Sequence, residues 1–257
     1  MPAYGSDLTP VAVMIGKALI KIPPRFKDRD PIHPGIKDRH FYRKAEGLAE
    51  DVKYYGEWVR QKAWERIGHL YPEVDLPKEH GGGKGTVIAW IWARTVPSPD
   101  PAFADVQVPI ASTFMLSTKQ GKLAWIEPIV DRASRRIEYR IRERGSEEAI
   151  ELAKEGTKVG RGSNFRGLFS DAAITTEYVR KVAASGLGAQ LLAIAVEGRG
   201  GRIFLAPNEI QEKTAISASP RYRPSEKISD DRRAFSPPDY GMGTFGDLFT
   251  DRQLVAL

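Results

Sequence analysis

Cysteine is absent from the 257 residues, which excludes disulfides and thiolate metal sites. Histidine is scarce, limited to His33, His40, His69 and His80, and their separations match no metal-ligand motif. No apolar run approaches the roughly 20 residues that a membrane-spanning helix needs. No secretory signal is recognisable before Gly5, so a cytoplasmic location with no membrane partner is expected. Internal repeats are missing. No Ser-His-Asp set, Cys-His set or acid pair is arranged for hydrolysis or acyl transfer. The run GGGKGT, Gly81–Thr86, lacks phosphate-loop spacing. Lys84 is followed by Gly85 rather than Ser or Thr, and no apolar strand precedes it. It reads as a flexible turn before a strand.

What is present suits a globular α and β protein. Hydrophobic residues make up 41% and charged residues 28% of the chain. A formal charge of +6 and a pI near 9.4 lean toward a polyanionic partner.

Pro2, Ala3 and Tyr4 read as the end of a strand closed by Asp7. Thr9 and Pro10 open an apolar helix that Pro23 and Pro24 stop. After a proline-broken connector, Leu48, Val52, Tyr55, Val59, Ala63, Ile67 and Leu70 recur at spacings of three and four. That spacing predicts a long helix from about Lys44 to His69, ended by Pro72. The pattern then turns to β. In TVIAWIWARTV, Val87, Ala89, Ile91 and Ala93 alternate with Ile88, Trp90 and Trp92, so both faces are apolar, as in a buried strand. DVQVPIASTFMLS, KLAWIEPIVD and RRIEYRIRER follow. In the last, Ile137, Tyr139 and Ile141 face one side, and Arg136, Glu138, Arg140 and Arg142 the other, as in an antiparallel sheet with one wet face. Further helices are expected from Ser146, over Thr176–Ala184 and over Pro207–Ser217. LGAQLLAIAVEG and GRIFLAP read as a hairpin, and Ala218–Tyr240 as a linker or wrapping arm. Thr250 and Gln253 form a capping box for a last short helix.

Two constellations carry chemistry. A strand ending in an acid and turning straight into a helix is a βα unit. In nucleotide-binding folds such an acid hydrogen-bonds ribose hydroxyls, which makes Asp7 a candidate cofactor ligand. The bland alternative is a helix cap. A glycine-rich loop normally lies about twenty residues before that acid, so the chain is expected to begin inside a domain. The second constellation is basic. Arg136, Arg140 and Arg142 on a sheet face, with Lys158, Arg161 and Arg166 in a glycine-rich loop, would suit a phosphate backbone. The alternative is a solvated face shared with Glu138 and Glu143.

The run SDLTPVAVMIGKALIKIPPRF resembles a segment of large prokaryotic adenine-specific DNA methylases. These carry an uncharacterised N-terminal domain and, in many members, a zinc ribbon. The resemblance continues in order through AEGLAEDVKYYGEWV, RIGHLYPEV, GTVIAWIWARTV, GAQLLAIAVEG and YGMGTFGDLFTDRQLVAL. It implies an α/β fold: part of a Rossmann-like methyltransferase domain with an inserted α+β, mainly antiparallel, module. Residues 1–72 would be a βα unit plus the long helix. Residues 73–217 would be the inserted module, with a target-recognition role, and 218–257 a linker and return segment. The implied cofactor is S-adenosylmethionine, with Asp7 on its ribose. The implied partners are DNA and, where the motifs are encoded separately, a second chain carrying them. The family's upstream glycine loop and downstream Asp-Pro-Pro-Tyr motif are both missing from this sequence, so no catalytic residue is assigned. The zinc-bearing members place cysteines at positions matching Ser98, Phe103, Gly167 and Ser170, none of which gives a thiolate, so no metal is expected and packing should hold that region. The rival readings are a stand-alone DNA-binding or regulatory protein and an inactive truncated product.

Overall fold

The computed structural model describes residues 5–36, 41–198, 200–229, 231, 233 and 235–256. The chain forms two compact units, Met1–Gly68 and His69–Leu257.

The first unit is helical. Helix α1, Pro10–Gly16, runs through a π-helical turn, Lys17–Lys21, into α2, Ile22–Arg25. Pro23 and Pro24 therefore do not stop the helix, contrary to the sequence expectation. The π turn widens the backbone, so that the Ile22 N–H bonds the Lys17 carbonyl, and the prolines fall in the first turn of α2, where a missing N–H costs nothing. Helix α3, Glu46–Ile67, matches the predicted long helix. The preceding loop is fastened to it: Asp51 Oδ1 accepts the N–H groups of Ile32 and His33, both at 2.9 Å. His33 stacks on Tyr54 at 4.5 Å between centroids. The apolar stripe of α3 is left largely on the surface, with Val52 65% and Val59 58% exposed. The expected strand at Pro2–Tyr4 and residue His40 lie outside the described residues.

The second unit is a mixed α and β structure in which every described strand pairing is antiparallel. Its centre is β2, Lys84–Pro97, paired along its length with β9, Gly188–Gly198. Strand β10, Gly201–Leu205, continues beyond β9, and short strands β1, Glu73–Asp75, and β3, Gln107–Ile110, share the other edge of β2. A second sheet holds β4, Met115–Lys119, β5, Lys122–Asp131, and β6, Arg136–Arg142. A two-stranded ribbon pairs β7, Phe165–Arg166, with β8, Ala173–Ile174. Helices α4, Glu147–Glu155, α5, Thr176–Ala183, α6, Glu209–Ile216, and α7, Asp251–Ala256, complete it. Side chains of Ser146, Thr175 and Asn208 cap the first three by accepting N–H groups of Ala149, Tyr178 and Gln211.

Simple alternation fails along β2, and the reason is local. The ladder with β9 shifts register between Val87 and Ala89, and again between Ile91 and Trp92. The first bulge makes Ile88 the extra residue. Val87 and Trp90 then point into the same cluster, with Leu191, Ile194 and Val196, while Ala93 joins Phe114, Trp125, Leu192 and Ala193 on the other side. The expected facing set of Ile88, Trp90 and Trp92 is thereby broken, and Ile88 is 37% exposed.

The segment from Ala218 wraps the unit rather than leaving it. Ile228 donates its N–H to Gly243 O at 2.9 Å and is buried. The Tyr240 hydroxyl meets Ser163 Oγ at 2.6 Å, and Arg180 pairs with Asp239 at 3.0 Å. In α7, the capping box forms as expected: the Thr250 N–H donates to Gln253 Oε1 at 2.8 Å. Within that first turn, Arg252 lies 4.2 Å from the Trp90 ring centroid and 4.7 Å from that of Tyr71. Burial there pulls its guanidinium below the usual arginine range.

The bulge is testable by substitution. Replacing fully buried Ile194 by Ala is expected to lower unfolding stability by about 2–5 kcal/mol. Ile88→Ala should stay within about 0.5 kcal/mol. Urea unfolding of both variants measures the contrast.

Candidate functional site

Asp7 lies exposed immediately before α1. Its Oδ1 accepts the Thr9 N–H at 2.8 Å, an Asx turn that sets the chain direction into the helix. No partner of Oδ2 is found among the described residues. Along α1 and the π turn, Val11, Met14, Ile15 and Leu19 recur at helical spacing, and each is more than half exposed.

The six candidate phosphate-binding residues lie on two elements, β6 and the loop that leads into β7. On β6 the alternation is as expected: Tyr139 is buried, Ile137 and Ile141 are half-buried, and Arg136, Glu138, Arg140 and Arg142 are exposed. The register with β5 places Asp131 opposite Arg136, Ile129 opposite Glu138, and Glu127 opposite Arg140. Glu127 also pairs with Arg142 at 2.7 Å, and Glu138 lies 3.8 Å from Arg140. Two of the three guanidiniums on this face therefore have a carboxylate within 4 Å, while Asp131, opposite Arg136, accepts from Ala133 and Ser134 in its own turn. Lys158, Arg161 and Arg166 belong to a loop anchored by Phe165, which clusters with Ile137 on the covered side of the strand. Arg166 lies 3.5 Å from Asp171. Reading this cross-strand balance from the sequence would have required the β5–β6 register, which alternation alone does not provide.

The two segments matched to metal-binding loops do come together. Phe103 packs on Phe169 with centroids 5.3 Å apart. Ser98 is buried and its Oγ accepts the Asp100 N–H at 3.3 Å. Asp100 also caps the turn Pro101–Phe103 through the Ala102 N–H. The Ser170 hydroxyl lies beside the Asp100 carboxylate and, with the Ala102 N–H, holds it below the usual carboxylate range, although Ser170 Oγ lacks a well-aligned hydrogen bond. Arg132 Nε donates to Phe169 O at 2.8 Å. An aromatic pair and hydrogen bonds therefore join the loops. Among the described residues no group of three or more His, Cys, Asp or Glu is placed to hold a metal.

The glycine turn Gly81–Gly83 has positive φ at each residue, 92°, 62° and 80°. It forms the rim of a cleft of about 350 Å³ lined by Leu76, His80, Gly82, Gly83, Lys84, Glu197 and Gly198. His80 Nε2 lies 3.5 Å from Glu143, and Lys84 lies 3.9 Å from Glu73. No helix among the described residues is long and apolar enough to cross a membrane.

Comparison with known proteins adds no assignment: no family model, curated protein or solved structure matches the chain.

Purified protein is expected to carry no stoichiometric zinc, since the sequence has no cysteine and no metal-holding cluster is found among the described residues. Elemental analysis giving about one zinc per chain would defeat this. Phe169→Ala should cost about 3–5 kcal/mol, because the ring is fully buried where the two loops meet. Thermal unfolding in the presence of chelator checks that packing alone carries that stability.

Proposed function

We propose that the chain is a segment of an S-adenosylmethionine-dependent, adenine-specific DNA methyltransferase, contributing part of the cofactor pocket and a DNA contact. The observation that carries this is the run SDLTPVAVMIGKALIKIPPRF, with Asp7 at the entrance to an apolar helix. Asp7 is exposed and one oxygen is engaged only in the turn to Thr9. The carboxylate is therefore chemically suited to accept hydrogen bonds from the two ribose hydroxyls, with little reorganisation of the backbone. The exposed Val11, Met14, Ile15 and Leu19 favour a helix that packs against further polypeptide. The antiparallel second unit is compatible with a module inserted between cofactor and catalytic motifs; that part of the reading rests on analogy.

In this reading the bound cofactor supplies an activated methyl group. This chain's residues bind and orient: Asp7 fixes the ribose end, and the second unit holds DNA. The flipped adenine needs an aromatic Asp-Pro-Pro-Tyr motif to align its amino group, and that motif is not in this sequence.

The chain alone is expected to transfer no labelled methyl to DNA. Fused to a segment supplying a glycine loop and an Asp-Pro-Pro-Tyr motif, it should support transfer to adenine. Charge-assisted hydrogen bonds are worth about 1.5–3 kcal/mol, so Asp7→Ala in that fusion should weaken cofactor binding roughly ten- to a hundredfold. Calorimetry reads the binding. Methyl transfer by the lone chain, or a silent Asp7→Ala in an active fusion, overturns the assignment.

A further inference from the structure

The sheet β4–β5–β6 ends on β6, whose outer side is paired with no strand among the described residues. Strand β6 is seven residues long, and its ladder with β5 runs without a register shift from Arg136 opposite Asp131 to Arg142 opposite Trp125. At the other end of the same sheet, β4 is interrupted by a shift between Met115 and Ser117. Bulges of that kind keep a sheet edge from pairing with other chains, and β6 has none.

The direction of the backbone groups on β6 follows from β5. Ile126 of β5 donates its N–H to Phe114 O at 2.9 Å, on the β4 side and away from β6. Successive residues of a strand turn their N–H and C=O groups to alternate sides. Pro128, which has no N–H, therefore also points away from β6, the side where a proline costs the ladder nothing. Trp125, Glu127, Ile129 and Asp131 point toward β6, and their ladder partners Arg142, Arg140, Glu138 and Arg136 point back at them. The backbone groups of Ile137, Tyr139 and Ile141 are left facing outward, and no hydrogen bond to them is found among the described residues. The Tyr139 side chain is buried, with its hydroxyl bonded to Gln190 at 2.7 Å, but Ile137 and Ile141 are only half-buried. The edge is thus open both in its hydrogen bonds and in its apolar side chains.

We infer that this edge pairs with β6 of a second copy of the chain, antiparallel about a two-fold axis at Tyr139, so that two three-stranded sheets become one. Both strands must turn their outward groups to each other, so Ile137, Tyr139 and Ile141 lie opposite residues of the same set. Charge then chooses the register. Centred on Glu138, the pairing sets Glu138 against its own copy, and centred on Arg140 it sets Arg140 against its own copy. Centred on Tyr139, it sets Glu138 opposite Arg140 of the second copy on both sides of the axis, with Ile137 opposite Ile141 on the covered face. Opposite charges across strands stabilise a pair and like charges directly opposite destabilise it. In this register Glu138 and Arg140 occupy non-hydrogen-bonded positions, where Cα atoms are about 4.5 Å apart and side chains are closest. Arg136 opposite Arg142 is the one unfavourable match, and Glu127, 2.7 Å from Arg142, lies beside it. A contact of this kind uses the same patch on both copies and closes at two.

The test uses the full chain in three forms: the parent, Glu138→Arg and Arg140→Glu. Each change alone sets like charges opposite one another on both sides of the axis. The two variants mixed restore opposite charges at both places. Sedimentation equilibrium over about 5–500 µM reads association in the micromolar range. The parent is expected to approach twice its 28.6 kDa as concentration rises. Each variant alone should associate roughly tenfold more weakly or worse, and the equimolar mixture should return to within about threefold of the parent. Hydrogen exchange adds the place: the amides of Ile137, Tyr139 and Ile141 should slow with parent concentration, while those of Glu138 and Arg140, already turned to β5, should not change. Thermal melts check folding. Glu138 lies opposite Ile129, so Glu138→Arg meets no like charge across the ladder of its own chain. Should Arg140→Glu, which faces Glu127, fail to fold, Glu138→Arg and the exchange data decide.

A parent that stays monomeric over the whole range overturns the inference, even if the edge takes some other extended peptide. So does a dimer that both variants keep with parent affinity, which would place the contact elsewhere, such as on the exposed apolar helices of the first unit. A mixture no tighter than either variant alone, or exchange at Ile137, Tyr139 and Ile141 that ignores concentration, overturns it as well. None of these readouts involves the cofactor or DNA, so this contact stands or falls separately from the methyltransferase reading.

Discussion

The ladder between β2 and β9 is the interaction on which the second unit depends. It is the longest pairing among the described strands, and both of its faces are covered. The second register shift makes Leu192 the extra residue of β9, so that consecutive Leu192 and Ala193 serve one cluster while Leu191 and Ile194 serve the other. Each cluster then recruits a different layer. One brings the β4–β5–β6 sheet and α4 through Phe114, Trp125, Tyr139 and Ala153. The other brings α6 through Ala215, with Gln211 accepting the Trp90 indole N–H at 3.3 Å. Burying that indole without a partner would cost free energy, so the hydrogen bond fixes α6 against the strand alongside the apolar contact. Arg252 on the Trp90 ring brings in α7 as well.

Electrostatics in this unit is decided by register rather than by composition. The arginines of β6 look like a phosphate surface when the strand is read alone. Paired with β5, they face Asp131 and Glu127 and share their own face with Glu138. Exposed pairs of this kind contribute little to stability. The same holds at the start of β2, where Lys84 lies opposite Asp75 and 3.9 Å from Glu73. The same lesson applies to the loops at Ser98–Phe103 and Gly167–Ser170. Their side chains offer no thiolate to a metal, yet they still meet, because Phe103 and Phe169 bury apolar area against each other.

Most element boundaries were legible because the local rules agreed with one another. The three-and-four spacing marked α3, period-two alternation marked β6, and Ser146 and Thr250 marked helix starts through their caps. The misreadings came where one local rule was overridden. Pro23 and Pro24 should have ended the first helix, but a π turn relocated them into a new first turn. Alternation along TVIAWIWARTV broke at Ile88, because a bulge costs only one ladder position and lets Val87 and Trp90 face the same cluster.

By itself the sequence determined the inventory. It excluded thiolate chemistry and disulfides, placed most helices and strands, set the net positive charge and put an acid at the entrance to an apolar helix. These follow from residue type and short-range spacing, which backbone geometry converts directly into faces and caps. Only the tertiary structure decided which charges face one another. Pairing register sets which side chains lie about 5 Å apart across strands. That register depends on the bulges and on contacts between residues remote in sequence, such as Trp90 with Gln211, 121 positions away, and with its ladder partner Ile194. No local pattern carries that information, so the carboxylate that faces each arginine of β6 becomes known only once the sheets are assembled.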